Sequence, residues 1–267
     1  MPTYSILSWN ISSAQPSFSA PNTWKEKDAS ETRKSMQDEI AKHNPDILAF
    51  QEIPSPNWLP MLISFDEYIP LGTAPSHCGH TALLLRTQYA QQITKVFQVG
   101  PSVIAFWEDG SQRLSVSSSH LYPGPTGASF REEQFQALLR CHNEYNCTDG
   151  IFSGDMNMRS AEDAIFEKMN PSLIDAWKEK GTPRNQYTWD SHKNYYREDG
   201  YPFRARFDRI YLTTNQIKVI QYKRIGDKSL TNPHHFASDH YGMMTKFHWS
   251  TNNLWREYGR KKSITGR

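Results

Sequence analysis

Short apolar runs alternate with turn-rich segments along most of the chain, and a few stretches show helical spacing instead. The runs are rich in β-branched and aromatic residues, which predicts strands. These strands are predicted over residues 4–9, 46–50, 81–86, 93–98, 103–107, 113–119, 150–153, 207–213 and 241–249. Helices are predicted over 31–43 and 130–144 and within 161–169, whereas the polar segment 12–28 is predicted to be a loop.

The order of these elements predicts an α/β fold built from two packed sheets. The first strand, the first helix and the second strand make a β-α-β unit, which places a helix on the face of a sheet. The segments 81–86, 93–98, 103–107 and 113–119 are joined by Gly or Pro turns and are predicted to form one antiparallel meander. Few helices among many strands indicate two sheets with the helices outside.

The composition fits a single globular domain but does not reveal its function. The chain has 267 residues, of which 37% are apolar, and this is enough to bury a large core. We expect one domain over 1–249, followed by a solvated basic tail over 250–267. The formal charge of +2 at pH 7 is too small to indicate a phosphate-bearing partner by itself.

The cysteines and the apolar runs indicate the cellular compartment of the protein. The chain has three cysteines, and their spacing fits neither a secreted disulfide framework nor a zinc site. No apolar stretch is long enough to span a bilayer, and the N-terminus enters a strand pattern at once, unlike a signal peptide. We therefore expect an intracellular, reducing location, nuclear or cytoplasmic or both, with no membrane partner.

Four short polar motifs stand at the ends of predicted strands. They are Ser8-Trp9-Asn10, Phe50-Gln51-Glu52, Gly154-Asp155-Met156-Asn157 and Ser238-Asp239-His240. Each motif places an amide, a carboxylate or an imidazole where an apolar run ends or begins. Brought together, these groups would make a hard-cation site beside a general acid–base site, which is what phosphodiester hydrolysis requires.

Glu52 and Asp239 are the candidate metal ligands, with Asn10 as their neutral partner. Magnesium and manganese prefer oxygen ligands and keep several waters, so one or two carboxylates and a substrate phosphate complete a site. Any one of these residues alone is more often a carboxylate that caps a strand end or faces solvent. It is their combination that indicates a metal site.

The candidate acid–base groups come from three other places in the chain. Asp155 and Asn157 share one tight turn, where a carboxylate can accept a proton from water and an amide can donate to a phosphoryl oxygen. His240 is a candidate imidazole because Asp208, on a neighbouring predicted strand, is available to fix its tautomer. His120 is the second candidate, although a lone histidine at a strand end is more often structural.

Six motifs in a fixed order resemble the endonuclease/exonuclease/phosphatase superfamily. They are WN, QE, SHL, GDMN, FDRI and SDH, and they run from Asn10 to His240. Members of the superfamily include DNase I-like nucleases, abasic-site endonucleases, deadenylases, inositol phosphatases and sphingomyelinases. The resemblance implies a DNase I-like four-layered α/β sandwich, with two mixed β-sheets flanked by helices, and a dependence on magnesium or manganese.

Three segments look closest to the tyrosyl-DNA phosphodiesterase 2 subfamily, which releases a topoisomerase tyrosine from a DNA 5′ end. They are LIDAW at 173–177, QYTWD at 186–190 and RFDRI at 206–210. The roles that this resemblance implies are a catalytic set of Asn10, Glu52, Asp155 and His240, a metal site of Glu52 and Asp239 with Asn10, phosphate contacts from Asn157 and His120, and orientation of His240 by Asp208.

Two features depart from the subfamily pattern. Tyr122-Pro123-Gly124 follows the SHL motif, where the subfamily usually has Glu-Ser, so the loop after His120 is expected to have a different shape. The chain also starts at the first catalytic strand, so the resemblance does not extend to the ubiquitin-binding module of animal members. Recruitment through ubiquitin is therefore not expected.

Aromatic and basic residues between the motifs predict a trough for a DNA end. They are interleaved over 187–209, a composition suited to stacking single-stranded bases while holding phosphates. By resemblance, Arg159, Trp189 and Phe207 contact the DNA, and Arg206 belongs to the basic residues of the trough. The alternative is that Trp189 and Phe207 belong to the core.

The function that follows from the resemblance is magnesium-dependent hydrolysis of a 5′-phosphotyrosyl bond between single-stranded DNA and a topoisomerase peptide, by a monomer. The alternatives are a nuclease of the same fold, namely a DNase I-like nuclease, an abasic-site endonuclease, a 3′ exonuclease or an RNA deadenylase. A phosphatase for small soluble phosphates would not need the aromatic trough. A scaffold that only binds nucleic acid is disfavoured because every motif position to which the resemblance assigns a catalytic role carries a residue able to perform it.

Overall fold

The computed structural model describes residues 2–11, 26–194, 201–213 and 215–249. Its strands are β1 Thr3–Asn10, β2 Ile47–Ile53, β3 Tyr68–Pro75, β4 His80–Arg86, β5 Ile93–Val99, β6 Ser102–Asp109, β7 Gln112–His120, β8 Asp149–Asp155, β9 Leu173–Asp175, β10 Trp189–Asp190, β11 Arg204–Ala205, β12 Asp208–Thr213, β13 Ile217–Ile225 and β14 Gly242–Trp249. Its α-helices are α1 Glu26–His43, α2 Ala128–Glu144, α3 Asp163–Met169 and α4 Ala176–Lys180.

Twelve of the strands form two six-stranded sheets. The first sheet has the order β13-β14-β1-β2-β4-β3, and the second has the order β5-β6-β7-β8-β12-β9. Each sheet is mixed, because β1 pairs with β2 in parallel and β7 pairs with β8 in parallel, while the other neighbours are antiparallel. The short strands β10 and β11 pair with each other.

Period-two alternation of apolar residues produces the layers. Ile47 and Ala49 of β2 lie in the core between the two sheets, whereas Leu48 and Phe50 face outward, where they share a cluster with Met36 of α1. The outer face of the second sheet is covered in the same way by α2 and α3. The predicted four-layered sandwich of two mixed sheets flanked by helices is confirmed.

The predicted meander is wrong in its first member. Residues 81–86 form most of β4, which pairs with β2 and β3 in the first sheet. Only β5, β6 and β7 make the antiparallel meander, in the second sheet. Turn residues predict that neighbouring segments are connected, but they do not distinguish a hairpin from a crossing between two packed sheets.

Several elements differ from the sequence prediction. The predicted loop over 12–28 ends sooner, because α1 already begins at Glu26, while 12–25 lie outside the described residues. β3 was not predicted because Pro70 and Pro75 interrupt its pattern, but β3 is an edge strand, where proline is tolerated. The predicted tail over 250–267 also lies outside the described residues. Across the described ranges, every helix is too short or too polar to cross a membrane.

Candidate active site

Strand pairing brings the predicted catalytic residues to one edge of the sandwich. Asn10 ends β1 and pairs with Gln51 of β2 in the first sheet. In the second sheet, Asp155 ends β8 and lies between His120 of β7 and Asp208 of β12. Residues that are far apart in the chain therefore meet, because the ends of their strands lie at the same edge of the sandwich.

A backbone irregularity turns Glu52 into this site. The pairing of β2 with β4 shifts register between Phe50 and Ile53, and Glu52 adopts a left-handed φ of 56°. A bulge re-aims a side chain, and a positive φ is uncommon for a residue other than Gly, Asn or Asp. The preceding residue links the two sheets beneath the site, because Gln51 Nε2 of the first sheet donates to Ser118 Oγ of β7, in the second sheet, at 3.1 Å.

Gly154 lets Asp155 sit directly beside β7. Gly154 pairs with Ser119, and its φ is 142°. A Cβ atom at this position would overlap the carbonyl oxygen of Ser119. The glycine of the GDMN motif is therefore required by the close approach of two parallel strands.

The Asp155 carboxylate is the centre of the site. Its Oδ2 accepts from Asn10 Nδ2 at 3.0 Å and lies 3.7 Å from Nε2 of both His120 and His240. Burial opposes ionisation, but the two imidazoles outweigh it and the pKa of Asp155 is lowered. Asn10 Nδ2 also donates to Glu52 Oε1 at 3.0 Å, so one amide links the two carboxylates.

His240 and Asp208 form the predicted dyad. His240 Nδ1 lies 2.9 Å from Asp208 Oδ2, which leaves Nε2 directed towards Asp155. Burial works against a charged imidazole, yet the carboxylates of Asp208 and Asp155 raise the pKa of His240 well above its ordinary value. Burial also raises the pKa of Asp208. The dyad therefore holds a proton on an oriented imidazole at neutral pH.

Two neighbouring motif residues fix the backbone of His240. Trp9 Nε1 donates to the carbonyl oxygen of His240 at 3.0 Å. Ser238 Oγ donates to the carbonyl oxygen of Asn10 at 2.6 Å and accepts from the amide of His240 at 3.2 Å. The WN and SDH motifs thus support each other, a role of Trp9 and Ser238 that the sequence alone did not indicate.

His120 has a partner that the sequence analysis missed. Its Nδ1 lies 3.1 Å from Oγ of Ser76, in the turn between β3 and β4, and its Nε2 lies 3.6 Å from Glu52 Oε1. The Ser76 hydroxyl can donate to the carbonyl of Cys78 or Gly79, which leaves it able to accept from Nδ1. Ser76 therefore orients the second imidazole as Asp208 orients the first.

Ser76→Ala is expected to lower kcat roughly three- to tenfold, because it removes one neutral hydrogen bond that orients His120. Ser76→Thr keeps the hydroxyl and should retain most of the activity. Steady-state kinetics and thermal melts of both variants check this. An unchanged kcat for Ser76→Ala would show that His120 is oriented without Ser76.

The donor set fits a hard divalent cation. Ligand atoms of Glu52, His120 and Asp155 all lie within 4.8 Å of one another, and so do those of Asp155, Asp208 and His240. Carboxylate oxygens are the ligands that magnesium and manganese prefer. Glu52 is partly exposed, so its carboxylate can be reached from solvent. Asp239 is buried beside Ser238 and belongs to neither of these two clusters of described residues.

Asn157, the predicted phosphate contact, hydrogen-bonds within the protein to Asp155 and to the loop after His120. It also has a left-handed φ, 51°, and its backbone amide donates to Asp155 Oδ1 at 2.9 Å. Its side-chain Nδ2 donates to the carbonyl oxygen of Leu121 at 3.0 Å. The observed contacts of Asn157 thus orient Asp155 and hold the loop after His120, and its contact with phosphate stays a prediction.

Three of the four predicted substrate residues lie together beside His240, namely Arg159, Trp189 and Phe207. With Phe203 they form a surface that we call the aromatic wall. Trp189 lies 5.0 Å from the His240 ring and 6.0 Å from Phe207, measured between ring centroids, and the Arg159 guanidinium lies 4.9 Å above Phe207. Phe203, which is half-exposed, stacks on Trp189 at 6.1 Å. Trp189 and Phe207 are each 9% exposed, but neither belongs to the three apolar clusters of the described residues.

Arg206, the fourth predicted substrate residue, lies elsewhere. Its guanidinium pairs with Asp175 and, at 2.8 Å, with Asp163, and it lies 4.8 Å from the Trp177 ring. The residue is buried. A guanidinium with two carboxylate partners has little capacity left for a phosphate. The observed contacts of Arg206 are thus structural, and its predicted contact with substrate stays a prediction.

A protein-family model matches most of the chain. The model described as the Endonuclease/Exonuclease/phosphatase family matches residues 7–240. Tyrosyl-DNA phosphodiesterase 2 from Xenopus tropicalis is 25% identical over 256 residues, which cover 91% of this chain and 66% of that protein. The protein of the same name from Danio rerio is 30% identical over 142 residues, 51% of this chain. The chain thus spans just under two thirds of the length of the first of these relatives.

Solved structures share the fold. D. rerio TDP2 complexed with a single-strand DNA product has a TM-score of 0.76 at 23% identity, covering 92% of this chain and 99% of that chain. The human Nocturnin catalytic domain with bound sulfate has a TM-score of 0.67 at 18% identity, covering 93% of this chain and 95% of that chain.

Proposed function

This chain belongs to the endonuclease/exonuclease/phosphatase family, and on that premise we propose that it is a metal-dependent phosphodiester hydrolase that cleaves the 5′-phosphotyrosyl bond between DNA and a trapped protein. The observation that carries the proposal is the aromatic wall in direct contact with His240, because it joins a base-stacking surface to the acid–base centre. The relatives named tyrosyl-DNA phosphodiesterase 2 support the choice of bond.

Asp155 has the geometry to orient the attacking water. It is ionised and is held by the side-chain amide of Asn10 and the backbone amide of Asn157, so its position does not depend on the substrate. A positioned carboxylate can accept the proton that water loses as it attacks phosphorus. In-line attack is expected, with the tyrosyl oxygen leaving on the opposite side.

His120 and His240 stabilise the charge that develops on the phosphoryl oxygens. Their Nε2 atoms each lie 3.7 Å from the same oxygen of Asp155. Preorganised donors of this kind act most strongly in a site from which water is excluded. The leaving phenolate has a solution pKa of about 10, so it needs less protonation than an alkoxide would.

A divalent ion would be held by Glu52, with Asp239 and Asn10 as the further predicted ligands, and would neutralise negative charge on the phosphate and the leaving group. The donor chemistry of the Glu52 cluster supports this. We take the ion to be magnesium or manganese, since both prefer carboxylate and amide oxygens.

Glu52→Gln is expected to fold and to lose most activity, because it removes a ligand charge and keeps the shape of the side chain. Calorimetric titration with Mn²⁺ should show weaker binding than in wild type, and kcat should fall at saturating metal. A kcat within about threefold of wild type, with unchanged Mn²⁺ affinity, would remove Glu52 from the metal site.

Trp189→Ala separates a stacking role from a core role. If Trp189 stacks on a base, the change should weaken binding of an oligonucleotide substrate by about 1–3 kcal/mol. Hydrolysis of a nitrophenyl ester of thymidine phosphate, which does not reach along the wall, should hardly change. A parallel loss on both substrates, with about 3–5 kcal/mol lower stability in a melt, would instead assign Trp189 to the core.

The further parts of the proposal rest on the family and the sequence. They are a single-stranded DNA end at the site, a topoisomerase peptide as the leaving group, action as a monomer, and a nuclear or cytoplasmic reducing location. We also propose that 1–249 is the catalytic domain and that 250–267 is a basic tail.

A substrate panel tests the proposed function. Metal-loaded protein is incubated with 5′-phosphotyrosyl, abasic and poly(A) oligonucleotides of matched length. We expect rapid release of tyrosine from the first and little cleavage of the other two. Preferred cleavage of the abasic strand or of poly(A) would assign the chain to another branch of the same family.

A further inference from the structure

A second group of aromatic side chains flanks the active site on the side of His120. The turn residue after Ser76 is His77, whose ring centroid lies 6.1 Å from that of Tyr122. The Tyr122 ring in turn lies 4.9 Å from that of Phe130, at the start of α2. Tyr122 and Phe130 are 41% and 53% exposed, so both present ring surface to solvent.

The Tyr122 ring is held in place although it is exposed. The backbone amide of Tyr122 donates to Gln134 Oε1 at 2.9 Å, and the backbone carbonyl of Tyr122 accepts from Arg131 Nη1 at 2.9 Å. The ring lies over Gly127, where a Cβ would come within 2.6 Å of Tyr122 Cδ1. An exposed aromatic ring with a fixed position is a preorganised binding surface, because little conformational entropy is lost when a ligand packs on it.

The sheet order places this surface opposite the aromatic wall. β8, which carries Asp155, lies between β7 and β12 in the second sheet. The wall contacts His240, whose partner Asp208 begins β12. Tyr122 follows His120, the last residue of β7. We therefore expect a substrate with its phosphorus at Asp155 to have the aromatic wall on the side of β12 and Tyr122 on the side of β7.

The charges of the two surfaces differ. On the wall side, the Arg159 guanidinium lies over Phe207, where a DNA phosphate would find a cation. In the segment 121–134 the one cationic residue is Arg131, which is buried and pairs with Glu162 at 2.7 Å. Glu132 and Glu133 follow it, and Glu133 is exposed. The Tyr122 side is thus suited to a neutral or basic group and unfavourable for a phosphate backbone.

We propose that Tyr122 and Phe130 form a leaving-group platform, which binds the peptide that flanks the phosphotyrosine of the substrate. The platform rests on the proposed function, since it needs a protein on the leaving side of the phosphate. Peptides with basic residues beside the tyrosine should bind better than acidic ones because the exposed Glu133 lies three residues, about one helical turn, after Phe130.

The test uses two substrates that share one single-stranded oligonucleotide. One carries a single 5′-phosphotyrosine, and the other carries the same tyrosine within a short peptide, in a lysine-flanked and a glutamate-flanked form. Wild type should show a KM roughly two- to tenfold lower for the lysine-flanked peptide substrate than for the tyrosine-only substrate. The double variant Tyr122→Ala/Phe130→Ala should lose this difference, with KM and kcat for the tyrosine-only substrate unchanged.

Phe65→Ala is the matched control. Phe65 is 44% exposed and precedes β3, whereas Ser76 follows β3 at its other end, about 25 Å away. This variant should keep the wild-type KM difference. If loss of the Tyr122 ring lowers the melting temperature, the single variant Phe130→Ala replaces the double variant in the same KM comparison. The Phe130 ring is more exposed, so its removal should affect stability less.

Three results would overturn the platform. They are a wild-type KM that does not depend on the peptide, a double variant that impairs both substrates equally, and a KM change that follows oligonucleotide length. In each of these cases the proposed function stands if wild type still releases tyrosine. Failure of wild type to hydrolyse either tyrosyl substrate would refute the proposed function, and the platform with it.

Discussion

Asp155→Asn is expected to lower kcat/KM by about 10²–10⁴-fold, the range for loss of a positioned general base. The Asp155 carboxylate accepts from Asn10 and lies 3.7 Å from Nε2 of both His120 and His240, so an uncharged amide would remove the proposed proton acceptor and the charge that holds both histidines. The shape of the side chain is preserved, and the fold should remain intact. Kinetics on a 5′-phosphotyrosyl oligonucleotide measure the loss.

Asp149→Asn is the control for this change. Asp149 is a buried aspartate at the opposite end of β8, about 20 Å from Asp155, and it accepts from the backbone amide of Gln216 at 2.9 Å. Its replacement should lower the melting temperature and leave kcat near the wild-type value. Similar losses of activity in the two variants would mean that Asp155 acts through stability alone.

Asp208→Asn is expected to lower turnover by about two to four orders of magnitude, because the imidazole of His240 loses the partner that fixes its tautomer and orientation. The pH profile provides a second readout. Against the effect of burial, Asp208 and Asp155 raise the pKa of His240 well above its ordinary value, so activity that needs the protonated ring is lost as pH rises through this raised pKa. Removing one carboxylate should move this alkaline limb to lower pH.

The same Asp149→Asn variant controls for stability in this experiment, since it should leave the pH profile unchanged. A shift of the alkaline limb is not expected from a purely structural change. If Asp208→Asn lowered kcat without moving the limb, the dyad would orient His240 without setting its charge.

The site was largely predictable because its residues follow the strand pattern. Asn10, Asp155 and His120 each end a strand whose apolar run is visible in the sequence, and strand ends of packed sheets meet at one edge. The family resemblance, which the comparisons confirm, added the roles that a pattern alone cannot assign. Ser76 had no such signal, because it lies in a turn 44 residues before the histidine that it contacts.

Other differences arose from tertiary packing that local sequence does not encode. Arg206 belongs to a run of arginines and aromatic residues that suggests a DNA surface, but Asp163 and Asp175 pair with its side chain and bury it. β4 was assigned to the wrong sheet because a turn does not show which sheet the next strand joins. β13, an edge strand beside β14, was missed although Ile217, Val219 and Tyr222 face the core.

We propose that this chain hydrolyses the bond between a DNA 5′ phosphate and a tyrosine. It is tested most directly by one single-turnover reaction on a 3′-labelled, single-stranded oligonucleotide with a 5′-phosphotyrosine, which offers the tyrosyl bond and internal phosphodiester bonds in the same molecule. We predict that tyrosine is released and that the full-length strand remains with a 5′ phosphate. Labelled strands shorter than full length would contradict this proposal and identify a nuclease.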